Sequence, residues 1–269
     1  MFASALLVAM AAHAEDSEFA GTVAAATDEP PKTESHVSAA LGGTYTSGNS
    51  TFYSLTALAK ADHLWAVRNK VSGEIGAQLG GSKSDVDGDG HLNEEERQGP
   101  LEEDVRRLSG ELRYDRLVSD HDAFYALAGA FHDPFGGYDV RAHEQVGYSR
   151  LLVSTEDTKF RTELGFDWAQ EDYVDDIDPN YADVFAGRIL LGLDHKFNEN
   201  VGFGDVFEVY ESLTDFEDVR ILNTATFSSK LTTVFSLNLS HVLVWDNIPV
   251  EGFAELDQTV MATVVATIL

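Results

Sequence analysis

The 269-residue chain has no cysteine, which excludes a disulfide framework and thiol chemistry. It is poor in positive charge: 18 Lys and Arg stand against 46 Asp and Glu, a formal net charge of −28. That balance argues against nucleic-acid binding, because little is present to neutralise phosphates. No run approaches the roughly 18 consecutive apolar residues that a membrane-spanning helix needs. From His36 onward there is no helical hydrophobic period either. What remains is a chain that must build its fold from strands.

Residues 1–14 are apolar and end in Ala12-His13-Ala14, the pattern of a signal-peptide core with its cleavage site. The usual Lys or Arg is missing from its beginning, as in a truncated start. Residues 15–35, acidic and carrying Pro30-Pro31, read as a flexible leader. Residues 36–269 form the body of the protein.

One segment carries recognisable chemistry. Residues 85–96 read Asp-Val-Asp-Gly-Asp-Gly-His-Leu-Asn-Glu-Glu-Glu, which fills every position of the twelve-residue calcium loop. Calcium is a hard cation that takes six to eight oxygens. Asp85, Asp87 and Asp89 supply carboxylates at positions 1, 3 and 5. Gly90 permits the sharp turn, His91 offers its backbone carbonyl, Asn93 acts through water and Glu96 binds bidentately. The loop resembles that of helix–loop–helix calcium proteins, but residues 75–81 before it are strand-like. Residues 94–98 have room for one helical turn before Gly99-Pro100 stops it. A lone site of this kind should bind on the order of 10⁻⁴–10⁻³ M. The plainer reading is a solvated acidic loop.

The rest alternates with period 2 in segments of about ten to fifteen residues. Phe160, Leu164, Phe166 and Trp168 share one face, and Arg161, Glu163, Gly165 and Asp167 the other. Phe185, Ile189, Leu191 and Leu193 oppose Arg188, Gly192, Asp194 and Lys196. Phe235, Leu237, Leu239, Leu243 and Trp245 oppose Ser236, Asn238 and Ser240. Leu108, Leu112 and Tyr114 oppose Ser109, Glu111, Arg113 and Asp115. Val71, Ile75 and Leu79 oppose Ser72, Glu74 and Gln78. A soluble sandwich also alternates, but these segments are long enough to cross a bilayer, and their polar faces carry both charge signs. Tyr45, Trp65, Tyr114, Trp168, Phe197 and Trp245 fall near segment ends, where interfacial girdles belong.

The expectation is an all-β, antiparallel transmembrane barrel of about twelve strands: 36–46, 51–62, 68–80, 104–118, 122–133, 140–154, 158–171, 182–197, 200–213, 218–230, 233–246 and 255–268. Short turns at 119–121, 154–157, 198–200 and 230–232 alternate with longer connections at 81–103, 133–139, 172–181, 214–217 and 246–254. That is the division between periplasmic and outside loops. The calcium loop, an insertion at 82–103, falls outside, on an acidic rim. Arg68, Lys70, Arg116, Lys159, Lys196 and Lys230 gather near the opposite rim.

Several short pieces then carry a resemblance. They are Gly43 to Ser50, Arg113 to Ser119, Asp133 to Arg141, Gly147-Tyr148, Glu163 to Gly165, and Trp245 to Gly252 followed by Asp257. In this order and spacing the chain resembles the salt-induced outer-membrane protein family (YdiY-like, a domain of unknown function) over residues 36–269. The resemblance implies a β-barrel in the bacterial outer membrane, with outer-membrane lipids as its surroundings, and supplies no catalytic residues. The calcium loop stands outside that pattern.

Three functions are weighed. The first is a non-enzymatic structural or stress-adaptive barrel. Its lumen charges (Glu74, Arg107, Glu111, Arg113, Asp115, Arg161, Glu163, Asp167, Arg188, Asp194 and Lys196) would pair across the interior and plug it. The second is a narrow ion or small-solute channel lined by the same groups, with calcium as gate or stabiliser. The third is an outer-membrane lipid hydrolase using His36 and Ser38, which share a strand face. That pair sits at the rim opposite the calcium loop, and an ordinary polar strand start explains it. Gly73, Gly76, Gly165, Gly192, Gly202 and Gly204, on the polar faces, read as packing and curvature devices. His132, His143, His195 and His241 lack metal-ligand spacing and read as incidental.

Overall fold

The computed structural model describes residues 33–46, 51–83, 92–174, 179–250 and 252–268. The signal-peptide segment 1–14 lies outside the described residues, as do positions 15–32 of the leader. Residues 34 and 35 of that leader belong to the first strand, so the barrel begins two residues earlier than expected.

Twelve strands alternate with connections: β1 (Glu34–Thr46), β2 (Phe52–Trp65), β3 (Asn69–Ser82), β4 (Glu102–Leu117), β5 (Asp122–Asp133), β6 (Tyr138–Ser154), β7 (Thr158–Tyr173), β8 (Tyr181–Asn198), β9 (Val201–Ser212), β10 (Val219–Lys230), β11 (Phe235–Asp246) and β12 (Leu256–Thr267). A short helix, α1 (Glu94–Gln98), precedes β4. Each strand pairs antiparallel with its chain neighbour, and β1 pairs with β12, closing the sheet into a barrel. Closure matters because hydrocarbon offers no partner to a free backbone N–H or C=O.

The faces decide what kind of barrel this is. On β7, Glu163 is 1 % exposed and its neighbour Leu164 is 61 % exposed. The same inversion holds on β4, where Leu108 and Leu112 point out and Arg107 and Asp115 are buried. It holds again on β11, with Phe235, Leu237 and Leu239 outside and Ser236, Asn238 and Ser240 inside. A soluble β protein buries its apolar face. Here the apolar face forms the exterior, as a transmembrane barrel requires. Strands of 12 to 18 residues overshoot the hydrocarbon and carry the wall into both interfaces. Aromatic pairs mark those levels. Trp65 packs near Tyr114, with ring centroids 6.1 Å apart, at one end, and Trp168 stacks on Phe185 at 5.9 Å toward the other.

The interior is less uniformly polar than the alternation implies. Ala40, Leu58, Val242 and Val265 form an apolar cluster on the β1–β2 and β11–β12 wall. Leu64, Leu117, Ala123 and Leu151 form a second at the short-turn end.

The short turns are fixed by side-chain hydrogen bonds. Thr158 N donates to Thr155 Oγ1, Asn200 N to Asn198 Oδ1, and Phe235 N to Thr232 Oγ1. By the short-turn rule this is the end expected to face the periplasm. At the other end β4 starts at Glu102 and β6 at Tyr138, each two residues before its expected place. The seam between β1 and β12 is the shortest in the ring. Its register runs from Ser38↔Thr267 to Gly42↔Thr263, five pairs, where β11 and β12 share eleven.

The β2–β3 turn holds Ala66 and Val67 at φ of 50° and 65°, a left-handed conformation that side chains with a Cβ resist. For a β-branched residue that conformation costs about 1–2 kcal/mol. Val67→Gly should therefore raise resistance to urea unfolding in vesicles by about 1 kcal/mol, read from tryptophan fluorescence.

Candidate functional site

The lumen is crossed at mid-height by one continuous ion-pair network. Glu163 on β7 is its centre. It accepts from Arg113 Nη2 on β4 at 2.8 Å, from Arg188 Nη1 on β8 at 2.8 Å and from Ser149 Oγ on β6 at 3.0 Å. Arg113 also holds Asp115, two residues along its own strand, at 2.8 Å. Arg188 reaches the other way, with Nε donating to Glu208 Oε2 at 2.8 Å and to Tyr210 Oη at 3.1 Å. Arg113 and Glu163 lie three strands apart, so their contact is a chord through the interior and not a neighbour pair on the wall.

Tyr125 sets the position of this chord. Its ring lies under the Arg113 guanidinium, 4.2 Å from it, and its hydroxyl accepts from Arg188 Nη1 at 2.9 Å. To reach Arg188 the ring must pass over β6 and β7. It does so above Gly147 and Gly165. A Cβ on Gly147 would stand 2.6 Å from the ring, and one on Gly165 would collide with the hydroxyl. These two glycines are packing devices, as the sequence reading holds for Gly165.

A second network lies toward the long-loop end. Arg107 donates to Asp133 at 2.8 Å and sits 4.0 Å over the Phe131 ring. Arg141 and Arg220 converge on Glu171, and Arg220 also meets Asp246 at 3.0 Å. Burial pushes the nearby loop carboxyl of Asp218 above its ordinary range, against the pull of Arg220. A cavity of about 320 Å³ lies beside this network, under the Pro134–Gly136 turn and the β11–β12 loop. A larger space of about 870 Å³ opens at the short-turn end beside Asp194, Lys196, Lys230 and Ser236.

Of the expected lumen residues, Arg113, Asp115, Glu163 and Arg188 are thus brought together, and Arg107 pairs apart from them with Asp133. His143 is not incidental as expected: it faces Asp167 inside the barrel at 3.4 Å. Sequence reasoning missed Tyr125, Glu208, Tyr210, Arg141, Glu171, Arg220 and Asp246. A signal was present, because the separated pieces Asp133 to Arg141 and Trp245 to Gly252 both contribute to the upper cavity.

Of the expected calcium ligands, Asp85, Asp87, Asp89 and His91 lie outside the described residues. Asn93 and Glu96 are described. Asn93 Oδ1 caps α1 by accepting from Glu95 N and Glu96 N at 3.0 Å, and Glu96 Oε2 accepts from Asn93 N at 2.8 Å. This reciprocal box starts the helical turn that the sequence allowed at Glu94. His36, weighed for hydrolysis, faces Asp62 at 3.2 Å on the short-turn half of the lumen.

The mid-lumen chord makes a quantitative prediction. Arg188→Met strands the buried Glu208 carboxylate and should cost about 3–5 kcal/mol in urea unfolding. Adding Glu208→Gln removes the stranded charge and should recover part of that loss.

No curated protein matches the chain. Among solved structures, the NanC porin superposes with a TM-score of 0.52 at 12 % identity, covering 87 % of this chain and 100 % of the porin. The translocator domain of the autotransporter NalP from Neisseria meningitidis gives 0.47 at 11 % identity, covering 88 % of each chain. The KdgM porin, solved in complex with disordered oligogalacturonate, gives 0.47 at 8 % identity, covering 88 % of this chain and 100 % of that one. The likeness to the NanC porin is one of fold. The model of the DUF481 family, proteins of unknown function, matches residues 39–268, and the chain belongs to that family.

Proposed function

We propose that the protein is a non-enzymatic barrel of the bacterial outer membrane, closed at mid-lumen, whose outer β3–β4 connection binds calcium. The observation that carries the closed reading is the chord from Arg113 through Glu163 to Arg188 and Glu208. Its members satisfy one another, so opening it would strand charges in a dry interior. The two apolar clusters narrow the remaining half of the lumen.

The calcium reading rests on the ligand pattern from Asp85 to Glu96 and on the position of α1. In loops of this type the exit helix starts after position 9, and here Asn93 caps it. Calcium would have to draw Glu96 from the Asn93 N–H. Bound there, it would temper an outer rim on which Glu94, Glu95, Glu102 and Glu103 are exposed. A role in salt stress rests on the family resemblance of the sequence.

A second reading, a narrow channel, draws support from the spaces of about 320 and 870 Å³ on either side of the chord. The hydrolase reading draws little, because His36 and Asp62 lie at the end of the barrel away from the calcium loop.

Planar-bilayer recording of the refolded protein separates the first two. Insertion without stable conductance steps is expected, and steps that millimolar calcium alters would establish the channel instead. For the loop, calcium should slow proteolysis within residues 82–103, with half-saturation on the order of 10⁻⁴–10⁻³ M. Asp85→Ala with Glu96→Ala should abolish that protection; protection that persists in the double variant would refute the site.

A further inference from the structure

The upper cavity has an unusual combination of walls. Phe135, Val250 and Phe253 roof it, with Phe253 and Val250 packed on the left-handed turn at Gly137. Leu222 and Val244 form its apolar side. Its volume of about 320 Å³ falls within the range of small-ligand pockets.

The charges around it are unequally matched. Arg141 is engaged with Glu171, and Arg220 with Glu171 and Asp246. Asp133 is held by Arg107 and by the Gly136 N–H. One carboxylate facing the cavity is left with an unmet acceptor. Asp257, half-buried on β12, has a buried Oδ1 with no hydrogen-bond partner. Asp167, almost wholly buried, is already paired, with its Oδ1 3.4 Å from His143 Nδ1. Leaving such an acceptor unmet in a buried place is costly, so a donor is called for. Arg141 Nε and Arg220 Nε make no hydrogen bond of good geometry either, but each lies 3.0 Å from a carboxylate oxygen, of Glu171 and Asp246 respectively. An anionic ligand would meet these arginines and also Asp133, Asp167, Asp246, Glu255 and Asp257, and the carboxylates around the cavity outnumber the arginines. A neutral apolar ligand would fill the roof and leave the acceptor unmet.

We propose that this chamber binds an amphipathic cation: an ammonium group donating to Asp257, joined to an aromatic or short aliphatic body under Phe135 and Phe253. Cations are also attracted to aromatic faces, which adds to the preference. The inference goes beyond the closed-barrel reading and holds whether or not the chord below conducts.

The test uses the full refolded chain in zwitterionic micelles. 4-Phenylbutylamine, 4-phenylbutanol and 4-phenylbutyrate, matched in body and differing in head group, are titrated by calorimetry. Empty micelles serve as the blank. Saturable binding of one amine per barrel is expected, with the alcohol and the carboxylate weaker by roughly tenfold or more, as loss of a charge-assisted hydrogen bond implies. Asp257→Asn should weaken the amine by a similar factor and leave the alcohol unchanged. Equal binding of amine and alcohol, preference for the carboxylate, or no heat beyond the blank overturns the proposal. So does an unchanged amine affinity in Asp257→Asn. Heat-modifiable gel mobility reports whether that variant folds. Should it not, Phe253→Ala in the roof decides: a weakened amine supports the chamber, and an unchanged one overturns it.

Discussion

Everything in this molecule follows from the need to satisfy backbone hydrogen bonds where no water is available. A sheet in hydrocarbon cannot have a free edge. Twelve strands joined by antiparallel pairing meet that need only when the last returns to the first, which β12 does against β1. Closure then fixes the side chains. One set must face lipid and the other a narrow interior, and the period of two along each strand distributes them. The carboxylates and arginines on the inward face are therefore confined to a space where they must find each other.

Within that space the arginines act as staples. Their planar guanidinium groups carry enough donors to hold two carboxylates at once. Arg188 bridges Glu163 and Glu208, Arg113 bridges Asp115 and Glu163, and Arg220 bridges Glu171 and Asp246. A lysine could neutralise such a pair but could not present the same fork. Tyr125 adds a rigid strut, for which Gly147 and Gly165 leave room. Each arginine of the chord thus lies between carboxylates, with Arg113 and Arg188 set among Asp115, Glu163 and Glu208.

Much of the fold was legible because alternation survives wherever the inward residue is polar. Glu163 beside Leu164, or Ser236 beside Leu237, declares both the strand and its faces. The pattern blurs where the inward residue is apolar, as at Leu58, Leu190 and Val242, and there the interior was taken to be more polar than it is. The outer ends of β3, β4, β6 and β7 came out two residues short for a different reason, since charged residues such as Glu102 read as loop. The site was less legible. Arg113 and Glu163 are 50 residues apart and meet across three strands, a relation that depends on how the wall curves and not on local spacing. Tyr125 shows nothing in sequence beyond an aromatic on a strand. Asp246 and Arg141 sat in pieces that marked a family likeness but had no chemistry attached until the fold set them around one cavity.

The seam where the ring closes has a mechanical meaning. Five residue pairs join β1 to β12, and thirteen join β1 to β2. A hoop under outward load parts at its weakest joint, and this hoop has one such joint at a defined place. The two strands that meet at this joint are each held by a longer pairing on their other side, β1 by β2 and β12 by β11. Under such a load the β1–β12 joint is where the wall would open first.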